Sequence, residues 1–103
     1  MGYARNEGVF TGLAMPFTTY IVRCSDGTLY TGYSRDLEKR LALHNAGLGA
    51  AYTRGRRPVR LVHAESFPTQ REAMQRECRL KKWSRAKKEA LIAGSGPPQP
   101  TRS

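Results

Sequence analysis

The tripeptide Ser25-Asp26-Gly27 constrains this chain more than any other stretch, because it separates two runs, Thr18 to Cys24 and Thr28 to Tyr33, rich in Tyr, Thr, Val and Ile. Such residues favour strands and Asp-Gly is a turn signal, so the runs are expected to pair antiparallel as a hairpin. Loop length decides which side chains share a face, since a slip of one residue inverts every position. With a three-residue loop and Gly27 left-handed, Cys24 pairs with Thr28, Val22 with Tyr30 and Tyr20 with Gly32. Tyr20 and Tyr30 then become diagonal neighbours on one face, roughly 7 to 8 Å apart, near enough for both hydroxyls to approach one phosphate. A two-residue Asp26-Gly27 turn would place them on opposite faces.

Beyond the hairpin, Asp36 is a natural N-cap for a helix running to about Ala46, stopped by Gly47 and Gly49. A basic, Gly-containing loop follows. Val59 to Phe67 reads as a third strand ending at Pro68. Thr69 and Glu72 form a capping box that opens a helix to about Lys82, and a last helix begins at Ser84 and ends by Gly94. The expected fold is α+β: a small three-stranded antiparallel sheet flanked by helices, in the order ββαβαα. Met1 to Pro16 is Gly-rich without an apolar period and reads as a flexible extension. Gly94 to Ser103 carries three prolines and reads as a disordered tail, which leaves 17–93 as the folded unit.

Charge narrows the partners. The chain has 18 Lys and Arg against 8 Asp and Glu, a formal net charge of +10 with a sequence pI near 10.3. On 103 residues that balance favours phosphate backbones, with counterion release supplying sequence-independent affinity. No apolar face flanked by basic residues suggests a membrane surface, and no apolar run approaches the ~18 residues of a membrane span. Without a signal-peptide stretch either, the chain is expected in the cytoplasm, with Cys24 and Cys78 reduced and serving as packing residues. Arg54, Arg56, Arg57 and Arg60 form a basic run without acidic neighbours that can grip phosphates. Residues 69–92 add eight basic against three acidic side chains, which a plain solvated face explains equally well. Tyr52 and Trp83 beside these charges can stack on exposed bases or pack in a core.

Two polar groups fall on stripes that should be apolar. On the first helix, Leu37, Leu41, His44 and Leu48 share a narrow arc with Arg40 at its edge, and Arg40 and His44 are i, i+4 neighbours able to reach one spot beside the sheet. A surface Arg40 paired with Asp36 and a hydrogen-bonded core His44 fit the same pattern. On the helix from Thr69, Glu77 lies inside an arc of Leu80, Ala73, Met74 and Cys78. A buried carboxylate needs a cation, either Lys81 one turn on or a metal ion. One carboxylate completed by water and phosphate oxygens suits Mg²⁺ or Mn²⁺, whereas zinc would want His and Cys ligands.

A strand with Tyr20, a turn, Tyr30-Thr31-Gly32, then Arg40 and a distal helix glutamate together resemble the layout of the GIY-YIG nucleases. Thr18-Thr19-Tyr20 stands where Gly-Ile-Tyr is usual, and Tyr30-Thr31-Gly32 is a common variant of the second motif. The stretches LYTGYSRDLEKRLALHNAG, YTRGRRPVRLV and EAMQRECRLKKWSRAKKEAL resemble the short single-domain bacterial members over about residues 17–92. The resemblance implies a metal-dependent endonuclease. In it Tyr20 is a general base or water-orienting hydroxyl, Tyr30 a phosphate or water positioner, Glu77 the metal ligand, Arg40 the group that neutralises transition-state charge, and His44 a residue that helps orient the nucleophile. Gly32 and Lys81 join the arginine run as candidate nucleic-acid contacts. A phenol with the ordinary pKa of about 10 is a poor base at neutral pH, so the metal and Arg40 are expected to lower that of Tyr20. DNA, whether single-stranded, duplex or branched, is the expected substrate, with RNA second, acted on by a monomer or weak homodimer. The rival readings are a catalytically silent basic nucleic-acid-binding module and an accessory subunit of a ribonucleoprotein. Related nucleases commonly add a domain that reads sequence or junction shape, for which this chain has no room, so specificity is expected to be limited or supplied elsewhere.

Overall fold

In the computed structural model, which describes residues 15–94, β1 (Phe17–Arg23) and β2 (Leu29–Ser34) pair antiparallel, with Tyr20 opposite Gly32 and Val22 opposite Tyr30. The three-residue loop sets this register. Cys24 N donates to Thr28 O at 2.8 Å, Gly27 N donates to Cys24 O at 2.9 Å, and Gly27 has φ +87°, a conformation that favours glycine. Asp26 Oδ1 accepts from both the amide and the hydroxyl of Thr28, which stiffens the turn. Tyr20 and Tyr30 therefore lie on one face of the sheet.

β3 (Arg60–Phe67) pairs antiparallel with the other edge of β1, giving the order β2-β1-β3, with a register shift between Ile21 and Val22. Val59, expected inside this strand, is instead the buried residue that leads into it. The Asn45 side chain holds it, accepting from Val59 N at 2.7 Å and donating to Val59 O at 3.1 Å.

Side-chain caps start three of the helices. Asp36 accepts from Lys39 N ahead of α1 (Leu37–Asn45), and a short α2 (Ala51–Arg54) follows. Thr69 accepts from Glu72 N ahead of α3 (Gln70–Lys81), and Ser84 accepts from Lys87 N ahead of α4 (Arg85–Ala93). α2 occupies part of the stretch expected as loop, where Ala50 O gathers the amides of Thr53 and Arg54 into one helical turn. α1 covers the Tyr20 face. α3 covers the opposite face, where Thr19 Oγ1 donates to Ala73 O at 2.8 Å. Between α1 and the sheet, Tyr20, Val22, Cys24 and Val59 form the core, with Tyr30, Leu37 and Leu41 packed against it.

Three apolar expectations change. Leu48 is 72% exposed, because α1 stops at Asn45 and Gly47, at φ +83°, turns the chain away before Leu48 can join the stripe. Met74 and Cys78 are exposed as well. The packed stripe of α3 is narrower than the apolar arc and runs through Ala73 and Leu80, with Glu77 between them. The extension and tail expected at the chain ends lie, but for residues 15, 16 and 94, outside the described residues. Among the described residues no helix is long and apolar enough to cross a membrane.

Candidate active site

Tyr20 is central to both core and cavity. Its ring is 2% exposed, and its hydroxyl lies 2.9 Å from His44 Nε2. His44, one turn of α1 beyond Arg40, is 1% exposed, and its Nδ1 lies 2.8 Å from Thr53 Oγ1 on α2. The Thr53 hydroxyl in turn donates to Ala50 O at 3.0 Å. Two glycines make room for this chain of hydrogen bonds. A Cβ on Gly32 would stand 2.7 Å from the Tyr20 hydroxyl and 3.2 Å from Tyr30 Cε2, and one on Gly49 would overlap His44 Nδ1. The role of Gly32 in this geometry is clearance for Tyr20.

Tyr30 sets its ring edge-on to His44, with centroids 5.4 Å apart, and stacks on Tyr52 at 5.8 Å. Tyr52 also carries the Arg56 guanidinium at 4.1 Å, so its ring is engaged within the protein. Tyr20, Tyr30, Gly32, Arg40 and Glu77 together line one cavity of about 440 Å³, which also takes in Arg35. Glu77 arrives from α3, on the far side of the sheet, and meets the others at β2, which has no neighbouring strand on its outer edge among the described residues. Its side chain is 18% exposed and ion-paired with Lys81 Nζ at 3.3 Å, so the intrahelical pair and the cavity-facing carboxylate coexist. Lys81 Nζ also lies 5.8 Å from the centroid of the Tyr30 ring. The Asp36 carboxylate caps α1, and no ion pair joins it to Arg40 among the described residues.

Electrostatics keep the buried pair neutral. Burial pushes the Tyr20 hydroxyl well above the usual phenol range, with Tyr30 adding to the rise, Arg40 pulling down and Glu77 pushing up. The downward pull expected of Arg40 is present, and burial outweighs it. His44 is held below the usual imidazole range, first by burial and then by Arg40.

No group of three or more His, Cys, Asp or Glu able to hold a metal occurs among the described residues. The side-chain groups lining the cavity that could ligate a metal are the Glu77 carboxylate, the phenolic hydroxyls, the Ser34 hydroxyl and the Gln70 amide oxygen, all hard oxygen. That set fits Mg²⁺ or Mn²⁺ held by Glu77 and completed by water and phosphate oxygens, and it does not fit zinc.

The arginine run divides in two. Arg56 donates to Asp26 Oδ2 at 3.1 Å and to Tyr52 O at 2.7 Å, and Arg57 donates to Arg54 O at 2.9 Å. Arg54 and Arg60 are exposed, with no side-chain partner among the described residues. Trp83 has Lys87 Nζ 4.2 Å and Arg76 Cζ 5.3 Å from its ring centroid. Thr53 escaped the reading of the sequence, as did the close approach of Gly49 to His44. One threonine in a basic stretch has no spacing signal that aims it at His44.

The GIY-YIG catalytic domain matches this chain over residues 16–90. The chain belongs to the GIY-YIG family. Its relatives form a short GIY-YIG group. The UPF0213 protein VNG_2274C of Halobacterium salinarum is 62% identical over 73 residues, 71% of this chain and 95% of that protein. The UPF0213 protein YazA of Bacillus subtilis is 56% identical over 73 residues, 71% of this chain and 74% of its own length. The solution structure of the UPF0213 protein BH0048 from Bacillus halodurans superposes with a TM-score of 0.51 at 48% identity, covering 79% of this chain and 87% of that one. That of EF2693 from E. faecalis gives 0.52 at 35% identity, covering 84% and 93%. GIY-YIG is a nuclease family.

Proposed function

We propose that this GIY-YIG protein is a divalent-metal-dependent endonuclease that hydrolyses phosphodiester bonds in nucleic acid, with DNA as its substrate. The supporting observation is that Tyr20, Tyr30, Arg40 and Glu77, drawn from two strands and two helices, line a single cavity. Glu77 would hold one Mg²⁺ or Mn²⁺, and such an ion, when bound, supplies Lewis-acid stabilisation of charge on phosphate oxygens.

The remaining work falls to the chain. Arg40 places its guanidinium beside the phosphate and stabilises the charge that builds on its oxygens. Tyr30, braced by His44 and Tyr52, positions the phosphate with its hydroxyl. Tyr20 stays a neutral phenol and acts in concert with His44. It receives a proton from the attacking water as it passes its own to Nε2, so no free phenolate is required. A phosphate drawn to Arg40 adds negative charge near His44, which favours the imidazolium formed in that step. Arg54 and Arg60 supply backbone contacts outside the cavity, and Lys81 another at its rim.

The test is a panel of labelled single-stranded, duplex and branched DNA and of RNA, incubated with Mg²⁺, Mn²⁺ or EDTA. Metal-dependent cutting of DNA that Arg40→Ala and Glu77→Ala abolish, with binding kept, is the expected result. Binding without cutting by the native chain on every substrate would instead leave a basic binding module.

A further inference from the structure

We infer that Thr53 is a positioning residue that fixes His44 as the Nδ1–H tautomer and thereby leaves a bare Nε2 facing the Tyr20 hydroxyl. A threonine hydroxyl has one proton to give. Ala50 O, 3.0 Å from Thr53 Oγ1, can only accept, so the proton lies there. Toward His44 Nδ1 at 2.8 Å, Thr53 then offers a lone pair alone, and Nδ1 must carry the hydrogen. A neutral imidazole has a single N–H, so Nε2 is an acceptor, and the 2.9 Å contact to Tyr20 is a bond donated by the phenol.

Direction thus passes along the whole chain, Tyr20 to His44 to Thr53 to Ala50. Burial protects it, since Tyr20, His44 and Thr53 are 2%, 1% and 0% exposed. With the Thr53 proton held on Ala50 O, the opposite tautomer would set lone pair against lone pair at Thr53 and leave a buried ring nitrogen unpaired. The backbone contributes as well. The absence of a side chain at Gly49 lets the loop lie against His44, and the single turn of α2 brings the Ala50 carbonyl and the Thr53 hydroxyl to the same place.

The consequence rests on the nuclease reading, and the tautomer does not. As water attacks phosphorus, the new O–P bond forms and the bond to the leaving oxygen breaks, that oxygen keeping the electron pair and taking a proton from solvent. One water proton goes to the Tyr20 oxygen, and the phenol's proton goes to His44 Nε2. The imidazolium that results keeps its other proton on Nδ1, hydrogen-bonded to Thr53. Without Thr53, an imidazole bearing its proton on Nε2 would block the transfer.

Long-range ¹H–¹⁵N spectra of the full-length, ¹⁵N-labelled chain read the tautomer directly, with no metal or substrate present. The chain has two histidines, and His63→Gln separates their signals. His44 is expected to show a protonated Nδ1 and a bare Nε2. Thr53→Val should move His44 to Nε2–H or to a mixture and slow cleavage on the order of 10²-fold at unchanged KM, with Thr53→Ser restoring both. A native spectrum with Nε2–H, or Thr53→Val with Nδ1–H intact, overturns the inference. Should amide spectra show Thr53→Val unfolded, the native and Thr53→Ser spectra decide, and both must show Nδ1–H. A native Nδ1–H signal beside a chain that cuts nothing would remove the nuclease reading and leave the Thr53 assignment standing. Cutting that depends on Arg40 and Glu77 beside an Nε2–H signal would do the reverse.

Discussion

On the α1 side of the cavity, Tyr20, His44 and Thr53 are buried and hydrogen-bonded in series, whereas at its rim Arg40 and Glu77 face the opening, and Lys81 is Glu77's one ion-pair partner among the described residues. The first set is complete before any ligand arrives. The second is a guanidinium and a carboxylate that, in the proposed function, meet substrate and metal. Under the proposed function, the contrast separates side chains that hold the fold and the chemistry at once from side chains that serve chemistry alone, and substitutions should respect that division.

The largest effects should come from pairing Tyr20→Phe with Glu77→Gln. Both should lose cleavage on the order of 10²- to 10⁴-fold. Tyr20→Phe should also cost about 1–3 kcal/mol of stability, because it strands a buried imidazole nitrogen, while Glu77→Gln stays within about 0.5 kcal/mol. Urea unfolding of both variants checks the pair, and equal stability losses would erase the contrast.

A smaller effect compares Gly32→Ala with Gly55→Ala. The added methyl meets the Tyr20 hydroxyl at 2.7 Å in the first and nothing within 4 Å in the second. The expected costs are about 1–3 kcal/mol against a few tenths, and only the first should reduce cleavage. A Gly32→Ala chain as stable and active as the native one would show that the Tyr20 hydroxyl can sit elsewhere. The smallest effect separates Arg54→Ala from Arg56→Ala. Loss of Arg54 should lower the salt dependence of DNA binding by roughly one phosphate contact, a slope change of about 0.9, at unchanged stability. Loss of Arg56 should lower stability slightly by freeing Asp26 and the Tyr52 carbonyl, with a smaller change in slope. Identical slopes in the two variants would dissolve the division of the arginine run.

What was legible in the sequence was local chemistry. Ser25-Asp26-Gly27 marks the turn but leaves two loop lengths open, and the structure holds the three-residue one that puts Tyr20 and Tyr30 on one face, while Asp36, Thr69 and Ser84 announce their helices because an N-cap is read from a few consecutive residues. Glu77 stood out because a carboxylate on a packed stripe needs a reason. The parts that stayed dark depend on what folds back onto what. Arg56 and Arg57 look identical to Arg54 in sequence, and only the approach of Asp26 and of backbone carbonyls distinguishes them. Leu48 fell outside the α1 stripe because the helix stopped first. Met74 and Cys78 sit on an apolar arc that α3 does not fully bury, since the sheet beneath it has three strands among the described residues.

The bond between Arg56 and Asp26 carries a lesson for anyone who would graft a new tip onto this hairpin. Asp26 is remote from phosphate chemistry and reads as a replaceable turn residue, but it steadies the cation that presses Tyr52 onto Tyr30. A substitute turn of equal length that keeps every backbone pairing and lacks that carboxylate would loosen the floor beneath Tyr30, the phenol proposed to position the phosphate. Its cost would surface in turnover before it surfaced in melting temperature.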